Sequence, residues 1–555
     1  MDGINVRRLA EAVRDGDLPA VTAILDTRPE LVAMDMAEND EHQALHHAVL
    51  NRRPEIVRAL IQRGADPRKG IWPHRDATSA LTIASERDYS EIVEIIRQEE
   101  ARRSRVEVPL DSSVEQQLTR AYQQDDESAF LGVLESRPTL VHAADPASGV
   151  TALHLAAACL WERTAVWLVG QGARIDAADS SGRTPLDLLG SQSELLSAAD
   201  RERATAIASH LLAAGAEPNA RAAVSTGRVD ILRARHARGD LARERGLVTH
   251  AVRSQQPGSV AVLLELGLDP DERGRVENVE EVVQSWGEPL RACAISGDVA
   301  MAKLLLDHGA DPNTNVYASS SAMYEAFARQ DRDMIALLES HGGVVTPTGA
   351  GYLGMLERAR QLLEDEAAGR LPAGTAGPDG VAAALLEGAA DSGHVEIVRL
   401  AVDRLDWPKG DSRWTWLAMR PFGRHSTDTR DRFVECFRLI VDRSGGDLEA
   451  RFGRTLLHDV AANWPRTSPM GAVERVTFAG MLLDRGARLD RRDEILKSTP
   501  LGWACRWGHI ELVQLLLDRG ADPRETAAEP WATPQAWARR IARTDILSVL
   551  DSATA

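Results

Sequence analysis

Cysteine is scarce in this sequence, and its few positions lie far apart. The four residues are Cys159, Cys293, Cys436 and Cys505, and none belongs to a CxxC pair. A disulfide framework or a cysteine zinc site needs a closer grouping. The spacing therefore predicts reduced thiols, as in a cytosolic protein.

Long apolar runs are absent as well. A membrane helix needs about 18 consecutive apolar residues, and no stretch of the sequence approaches that length. The residues after Met1 contain no apolar run of the kind that a signal peptide carries. We therefore expect a soluble, cytoplasmic chain without a membrane partner.

Lysine is scarce, and the net charge of the chain is negative. Only four of the 65 basic residues are lysine, a bias typical of genes from GC-rich bacterial genomes. The formal net charge of -18 repels phosphate backbones, so we expect no nucleic acid partner. The arginine-rich stretch 221–245 also carries Asp230, Asp240 and Glu244, and we interpret it as a solvated helix face.

Sequence signatures of catalysis are also missing. The segment 349–354 satisfies the pattern Gly-x-Gly-x-x-Gly, but a dinucleotide site needs a buried strand before it and a helix after it. Only Val344 and Val345 precede the segment, so we interpret it as a loop between helices. No P-loop, HExxH motif, Cys/His cluster or Gly-x-Ser-x-Gly elbow occurs. We therefore expect no catalytic, cofactor or metal residues and no small-molecule substrate.

Two short patterns recur along the chain, and the copies of the first at Thr151 and Thr184 lie 33 residues apart. The first runs from Thr151 to Ala157 and returns at Thr184, Thr455 and Thr499 as variants of Thr-Pro-Leu-His. The second is a Gly-Ala-Asp-Pro turn at 64–67, 309–312 and 520–523. Because 555 residues are too many for one compact core, such repeats predict an extended array.

The best-preserved copy, residues 499–523, shows what each part of the repeat does. Thr499 is placed to cap a short first helix, and Pro500 suits its first position because that amide has no partner in a helix. Gly508 supplies the left-handed backbone that ends this helix. A second helix, 510–518, carries a broad apolar stripe. A lone helix pair cannot bury that stripe, so the pairs must stack.

These recurring patterns resemble those of ankyrin-repeat proteins, most strongly at 44–67, 151–184, 289–313 and 499–523. The resemblance implies an all-α solenoid of stacked helix-turn-helix units. It also implies that His154 and His458, in the Thr-x-Leu-His openings, bridge backbone groups rather than bind metal. Ankyrin arrays as a family bind proteins through the concave side, which is formed by the first helices and the hairpin tips.

Departures from the repeat suggest how the chain is organised. We expect an N-terminal ankyrin block at 1–110, a central block at 111–345 with a degenerate stretch near 220–246, and a C-terminal block at 383–555. The Gly/Pro-containing segment 346–382 is the candidate break or hinge. Residues 271–288, 404–432 and 463–475 look like insertions.

The resemblance also indicates where a partner could bind. The two residues after the small pair of each first helix face the concave side. These are Leu50 and Asn51, Ala158 and Cys159, Ile295 and Ser296, Asp391 and Ser392, and Arg506 and Trp507. Arg506 and Trp507 stand out because Arg and Trp dominate binding hot spots.

Tryptophan is concentrated in the C-terminal part of the chain. Eight of the twelve lie after residue 400, and Trp407, Trp414 and Trp416 fall in the expected insertion 404–432. Either they form an exposed partner-binding surface or they fill the gap left by a distorted repeat.

Three functions stay open at this stage. The sequence favours a protein-interaction module or scaffold that presents a concave face to a protein partner. The alternative is a regulatory or inhibitory subunit of an enzyme, comparable to an immunity or antitoxin factor. An enzyme in its own right would need a pocket within 346–432, where the repeat is weakest.

Overall fold

A computed structural model describes most of the chain. The described residues are 4–35, 41–72, 74–75, 77–104, 112–145, 148–179, 183–192, 197–276, 284–314, 316–317, 319–371, 377–422, 430–462 and 470–554. Within them the structure is helical apart from one two-stranded ladder and two isolated bridges. The prediction of an all-α solenoid is confirmed.

The helices follow one another in chain order. The first six are α1 (Val6–Asp15), α2 (Leu18–Thr27), α3 (Ala44–Leu50), α4 (Pro54–Gln62), α5 (Ala80–Glu86) and α6 (Ser90–Ser104). The next eight are α7 (Ser112–Gln123), α8 (Glu127–Ser136), α9 (Ala152–Ala158), α10 (Glu162–Gly170), α11 (Pro185–Gln192), α12 (Ala198–Ala213), α13 (Ala220–Ser225) and α14 (Val229–Ala237). They continue with α15 (Leu247–Arg253), α16 (Pro257–Glu265), α17 (Glu288–Ser296), α18 (Val299–Asp307), α19 (Ala322–Ala328) and α20 (Arg332–Ser340).

The remaining helices complete the C-terminal part. They are α21 (Pro347–Tyr352), α22 (Leu356–Ala367), α23 (Gly380–Ser392), α24 (Val395–Val402), α25 (Ser412–Met419), α26 (Arg430–Ser444), α27 (Leu456–Ala461), α28 (Ala472–Leu483), α29 (Pro500–Trp507), α30 (Ile510–Asp518), α31 (Pro534–Arg540) and α32 (Thr544–Thr554). Strands β1 (Gly274–Arg275) and β2 (Gln284–Ser285) pair antiparallel between α16 and α17, with Gly274 opposite Ser285.

These helices form two compact units. Unit 1 holds the described residues within 1–100 and 345–555, and unit 2 holds those within 101–276 and 282–344. Odd-numbered helices are the first helices of the repeats and even-numbered helices are the second. In both units first helices pack on first helices, as α9 does on α11 and α27 on α29, and second helices pack on second helices. We call the surface formed by the odd-numbered helices the first-helix face.

Helix α29 shows why the repeat sequence folds as predicted. The Thr499 hydroxyl accepts a hydrogen bond from the Gly502 amide at 3.3 Å, and Pro500 opens the helix. Gly508 ends it with a left-handed φ of 78°. The apolar residues Leu512, Val513 and Leu516 of α30 are buried. Each of these contacts depends only on residues within the repeat, which explains why the sequence could predict them.

The degenerate stretches keep the same architecture. Within 220–246 the chain still forms the pair α13 and α14. Residues 346–371 form α21 and α22, and the Thr346 hydroxyl caps α21 by accepting from the Gly349 amide at 3.1 Å. The stack therefore continues through this part of the predicted break, while 372–376 lie outside the described residues. The expected loop at 349–354 is wrong, because most of it belongs to α21.

The glycines of that segment have a packing role. At Gly351, a Cβ atom would overlap the Leu385 carbonyl oxygen of α23, and at Gly388 on α23 it would overlap the Thr348 carbonyl oxygen. Helices α21 and α23 thus approach so closely that only glycine fits at both positions. The Gly-x-Gly-x-x-Gly pattern reflects this approach.

The expected insertions have different outcomes. Within 271–288 the strands β1 and β2 pair with each other, and residues 277–283 lie outside the described residues. Residues 404–432 are not wholly an insertion, because α25 is the first helix of a repeat and packs on α26 and α27. Asp411 starts α25 by accepting from the Arg413 amide at 3.0 Å. Residues 423–429 and 463–469, the latter including Trp464, lie outside the described residues.

Candidate functional site

The histidines of the repeat openings are used inside the stack. His154 Nδ1 accepts from the Thr151 amide at 3.1 Å, and its Nε2 lies 3.0 Å from the Arg183 carbonyl oxygen of the next repeat. His458 makes the same pair of contacts with Thr455 and Ser498, at 2.9 and 3.1 Å. The bridging role that the resemblance implied is confirmed. Among the described residues no group of three or more His, Cys, Asp or Glu side chains could hold a metal ion.

In unit 1 the first-helix face of the C-terminal part meets another segment of the same chain. We call the described residues of 4–100 the N-terminal block and those of 345–554 the C-terminal block. The end of α5 and the loop before it, residues 71–88, contact α27, α29 and α31 and the loop before α29. The surface on which the sequence placed a partner is therefore occupied in part by the chain itself.

Arg506 lies at the centre of this contact. Its guanidinium forms an ion pair with Glu86, and its side chain is only 11% exposed. The guanidinium also lies over the rings of Trp507 and Trp537, at 4.6 and 5.6 Å from their centroids. Burial raises the pKa of the Glu86 carboxyl, and the Arg506 charge opposes that shift. Arg506 is thus engaged by a carboxylate of its own chain.

Trp507 lies beside a buried cluster from both blocks. His74 of the N-terminal block packs edge-on against Trp503, with centroids 5.2 Å apart, and lies 5.9 Å from Trp507. His74 Nε2 is 3.2 Å from the Asp459 carboxylate, which also pairs with Arg454 at 3.3 Å. Burial acts to raise the pKa of Asp459, but Arg454 and His74 outweigh it and the pKa falls below its usual range.

Two further charged residues of the N-terminal block extend the contact. Arg87 donates to the Ile495 carbonyl oxygen, and its guanidinium lies 4.5 Å from the Trp531 ring centroid. Burial lowers the pKa of this guanidinium. Asp88 pairs with Arg540 at 3.3 Å on the exposed rim. No local pattern in the sequence identifies Glu86, Arg87, Asp88 or His74, because their partners lie more than 380 positions away.

The three tryptophans of the expected insertion have different environments. Trp414 is fully buried and donates to the Pro408 carbonyl oxygen at 3.2 Å, so it cannot contact a partner directly. Trp407 is half-buried, with the Arg413 guanidinium 4.4 Å from its ring centroid. Trp416 is 44% exposed. The Arg420 guanidinium lies 3.9 Å from its ring centroid, and the ring centroids of Trp72 and Trp416 are 6.0 Å apart.

Unit 2 presents its first-helix face differently. Ile295 of α17 is 41% exposed, and Ser296 beside it is exposed too. The small pair that precedes them, Cys293 and Ala294, is fully buried in the stack. On α9 the corresponding residues Ala158 and Cys159 are half-buried. Ile295 therefore presents a large apolar side chain that is only partly buried by the stack.

Family models match three parts of the chain. A model of three ankyrin repeats matches residues 9–105, and a single-repeat model matches 289–315 and 497–527. Similar curated proteins include Ankyrin repeat domain-containing protein 63 of Homo sapiens, which is 36% identical over 110 residues, 20% of this chain and 27% of that protein. Palmitoyltransferase ZDHHC13 of Mus musculus is 39% identical over 93 residues, 16% of this chain and 13% of that protein.

A third relative is Palmitoyltransferase Hip14 of Drosophila melanogaster, 40% identical over 75 residues, 14% of this chain and 10% of that protein. The chain thus spans 27% or less of the length of these relatives. No helix within the described residues is long and apolar enough to cross a membrane. The stacked helix pairs, the bridging histidines and the family matches together show that this chain contains ankyrin repeats, which serve as protein-interaction modules in general.

Proposed function

We propose that this chain binds a protein partner through the first-helix face of its repeats, with a principal contact at Ile295 and Ser296 of unit 2. The observation that carries the proposal is the 41% exposure of Ile295 directly after two fully buried small residues. Its side chain contributes little to the stack, and it lies on the first-helix face, through which ankyrin arrays as a family bind proteins.

The surroundings of Ile295 suit a mixed apolar and polar interface. Arg291, one turn earlier on α17, pairs with Glu288 at 3.2 Å and with Glu325 of α19 at 3.3 Å. These half-buried charges are already held in place, so they would lose little side-chain entropy when a partner binds. Tyr317, in the loop between α18 and α19, is another exposed large side chain of unit 2, at 43%.

The C-terminal block offers a second contact region in the same proposal. Trp416 is exposed, and Trp407 is half-buried under Arg413. Arg506 and Trp507 belong to this region as well, but a partner can use them only after Glu86 and His74 have moved away. We assign the chain no catalytic role in this proposal.

Affinity capture from a lysate of the source organism tests the proposal. The baits are the parent chain, Ile295→Asp and Val166→Asp. Val166 is a matched control because it is also 41% exposed but lies on α10, a second helix of the same unit. We expect a partner that the parent and Val166→Asp retain and Ile295→Asp loses.

Two results would contradict this assignment. Capture of the same proteins by all three baits would exclude Ile295 as a contact, and the absence of any specific protein would remove the support for binding. The identity of the partner then distinguishes the two roles. An enzyme whose activity falls on binding would make the chain a regulatory or inhibitory subunit, whereas other partners favour a scaffold.

A further inference from the structure

Arg329, directly after α19, lies next to the contact proposed at Ile295 and Ser296. Helices α17 and α19 pack on each other, and a Cβ atom at Gly297 would lie 3.4 Å from a guanidinium nitrogen of Arg329. The Arg329 side chain is exposed, and among the described residues it has no ion-pair or hydrogen-bond partner. The first-helix face of unit 2 therefore presents an uncompensated positive charge close to its exposed Ile295.

The acidic residue nearby serves the stack instead of Arg329. A carboxylate oxygen of Asp331 would lie 3.5 Å from the same Cβ atom at Gly297, but the described side chains of Asp331 and Arg329 form no ion pair. The other oxygen of Asp331 caps α20 by accepting from the Met334 amide at 3.0 Å. Because the free amides of a helix N-terminus favour a carboxylate, Asp331 is held at its cap position.

The preceding repeat places a second arginine beside Ile295. Arg253 and Ile295 each lie two residues before the left-handed residue that follows their first helix, Gln255 and Gly297, and α15 packs on α17. Arg253 is 40% exposed and pairs with Glu288. A guanidinium has five N–H donors, so Arg253 can bind a further carboxylate. Ile295 thus lies between arginines of the two neighbouring repeats.

Unit 1 shows which groups bind arginines at this position of the repeat. Arg506 and Arg540 also lie two residues before a left-handed residue, as Arg253 does. The carboxylate of Glu86 pairs with Arg506, and that of Asp88 pairs with Arg540 at 3.3 Å. The two acids are two residues apart in one stretch of chain. A partner segment with the same chemistry would complement the arginines of unit 2.

We infer that the partner segment bound at Ile295 is acidic. An apolar side chain of the partner packs on Ile295, and Asp or Glu residues beside it pair with Arg329 and Arg253. The net charge of -18 opposes an acidic partner at a distance. At physiological salt, however, exposed charges more than about 8 Å apart are largely screened, so the adjacent arginines dominate. This inference rests on the function proposed for the face and adds the chemistry of the partner.

Selection from a phage library of random peptides on the intact, immobilised chain tests the inference. The baits are the parent, Ile295→Asp, Arg329→Glu and Arg163→Glu. Arg163 is the matched control because it is exposed and has no ion-pair partner among the described residues, but it lies on α10, a second helix. The parent and Arg163→Glu should enrich Asp or Glu beside an apolar residue about threefold over the unselected library, and Arg329→Glu should enrich Lys or Arg there instead.

Binding of one selected acidic peptide in solution then measures each arginine. Fluorescence anisotropy should show a Kd about tenfold higher for Arg329→Gln, which removes an ion pair with the peptide. Arg253→Gln should raise the Kd about threefold, because Arg253 already shares its charge with Glu288. Arg163→Gln should leave the Kd unchanged. A peptide with Lys in place of its acidic residues should bind Arg329→Glu more tightly than the parent.

Three results would contradict the inference, and they separate it from the proposed function. Peptides that need Ile295 but show no enrichment of Asp or Glu would overturn the acidic partner and leave the proposed contact in place. Acidic peptides that bind the parent and Arg329→Glu equally well would overturn it too, because they do not contact Arg329. If no selected peptide loses binding with Ile295→Asp, the proposed contact itself fails.

Discussion

Arg506 of unit 1 and Arg253 of unit 2 occupy the same position of the repeat but differ in what surrounds them. Each lies two residues before the left-handed residue that follows its first helix, Gly508 with φ 78° and Gln255 with φ 57°. Arg506 is 11% exposed and pairs with Glu86, 420 positions away, whereas Arg253 is 40% exposed and pairs with Glu288, 35 positions away. The position in the repeat therefore determines which face of the stack a side chain lies on. It does not determine whether another part of the chain covers that face.

The largest effect is expected where the two blocks share a buried charge. Asp459→Ala removes the carboxylate between His74 and Arg454 and leaves the Arg454 guanidinium, 4% exposed, without this counter-ion. We expect the free energy of unfolding of unit 1 to fall by about 3–5 kcal/mol, because an uncompensated buried charge is costly. Urea denaturation followed by hydrogen exchange of unit 1 peptides measures this.

Asp307→Ala is the control for that variant. Asp307 forms an exposed pair with Lys303 at 2.6 Å in unit 2, and its removal should leave stability almost unchanged, because solvent screens such a pair. Equal losses in the two variants would mean that burial does not distinguish the two ion pairs, and the contrast between the units would fail.

Acid should destabilise unit 1 by a smaller amount. Burial lowers the pKa of His46 to about 4 and that of His509 to about 3, against about 6.5 in an unfolded chain. These rings are neutral when folded, so their contribution is present above pH 6.5 and is lost as the pH falls towards 4. For His46 alone the loss is about 3 kcal/mol. The raised pKa values of Glu86 and Glu525 act in the opposite sense, because protonation there favours the folded state.

The urea midpoint of unit 1, measured between pH 7 and pH 4.5, checks this expectation. His46→Gln should reduce the change in the free energy of unfolding with pH by up to about 1.4 kcal/mol per pH unit, which is the value for one proton. At pH 8 the difference between variant and parent reports only the lost hydrogen bonds to Gln43 and Lys69. A slope that does not change with His46→Gln would show that this ring does not titrate on unfolding.

The sequence predicted those parts of the structure that depend on neighbouring repeats. The cap at Thr499, the turn at Gly508 and the bridge made by His154 involve residues within one repeat or in the next one. Inside the expected break, α22 at 356–367 is the second helix of a repeat. The sequence did not predict the helices that Thr346 and Asp411 cap, because these repeat openings lack the Thr-Pro-Leu-His pattern.

The contact between the blocks of unit 1 could not be predicted in this way. Glu86 is the last residue of α5 and an ordinary polar residue in the sequence, and nothing near it indicates a partner at Arg506. Trp414 and Trp416 are two residues apart on one helix and therefore lie on opposite sides of it, one fully buried and the other 44% exposed. The Glu86–Arg506 ion pair, in contrast, joins residues 420 positions apart, and a single sequence contains no record of that pairing.

The smallest of these effects compares the two arginines directly. Arg506→Ala removes the partner of half-buried Glu86 and the cation that lies over Trp507 and Trp537, and we expect a loss of about 2 kcal/mol in unit 1. Arg253→Ala breaks a more exposed pair with Glu288, which keeps Arg291 at 3.2 Å, so less than about 1 kcal/mol should be lost in unit 2. Thermal unfolding with hydrogen exchange resolved by peptide assigns each loss to its unit.

If Arg253→Ala destabilises its unit as much as Arg506→Ala does, the position in the repeat decides the loss of stability. Contact with the N-terminal block then adds nothing to it. If the loss with Arg506→Ala disappears in the Glu86→Gln background, the two side chains act as one pair, and the energy belongs to the contact between the blocks.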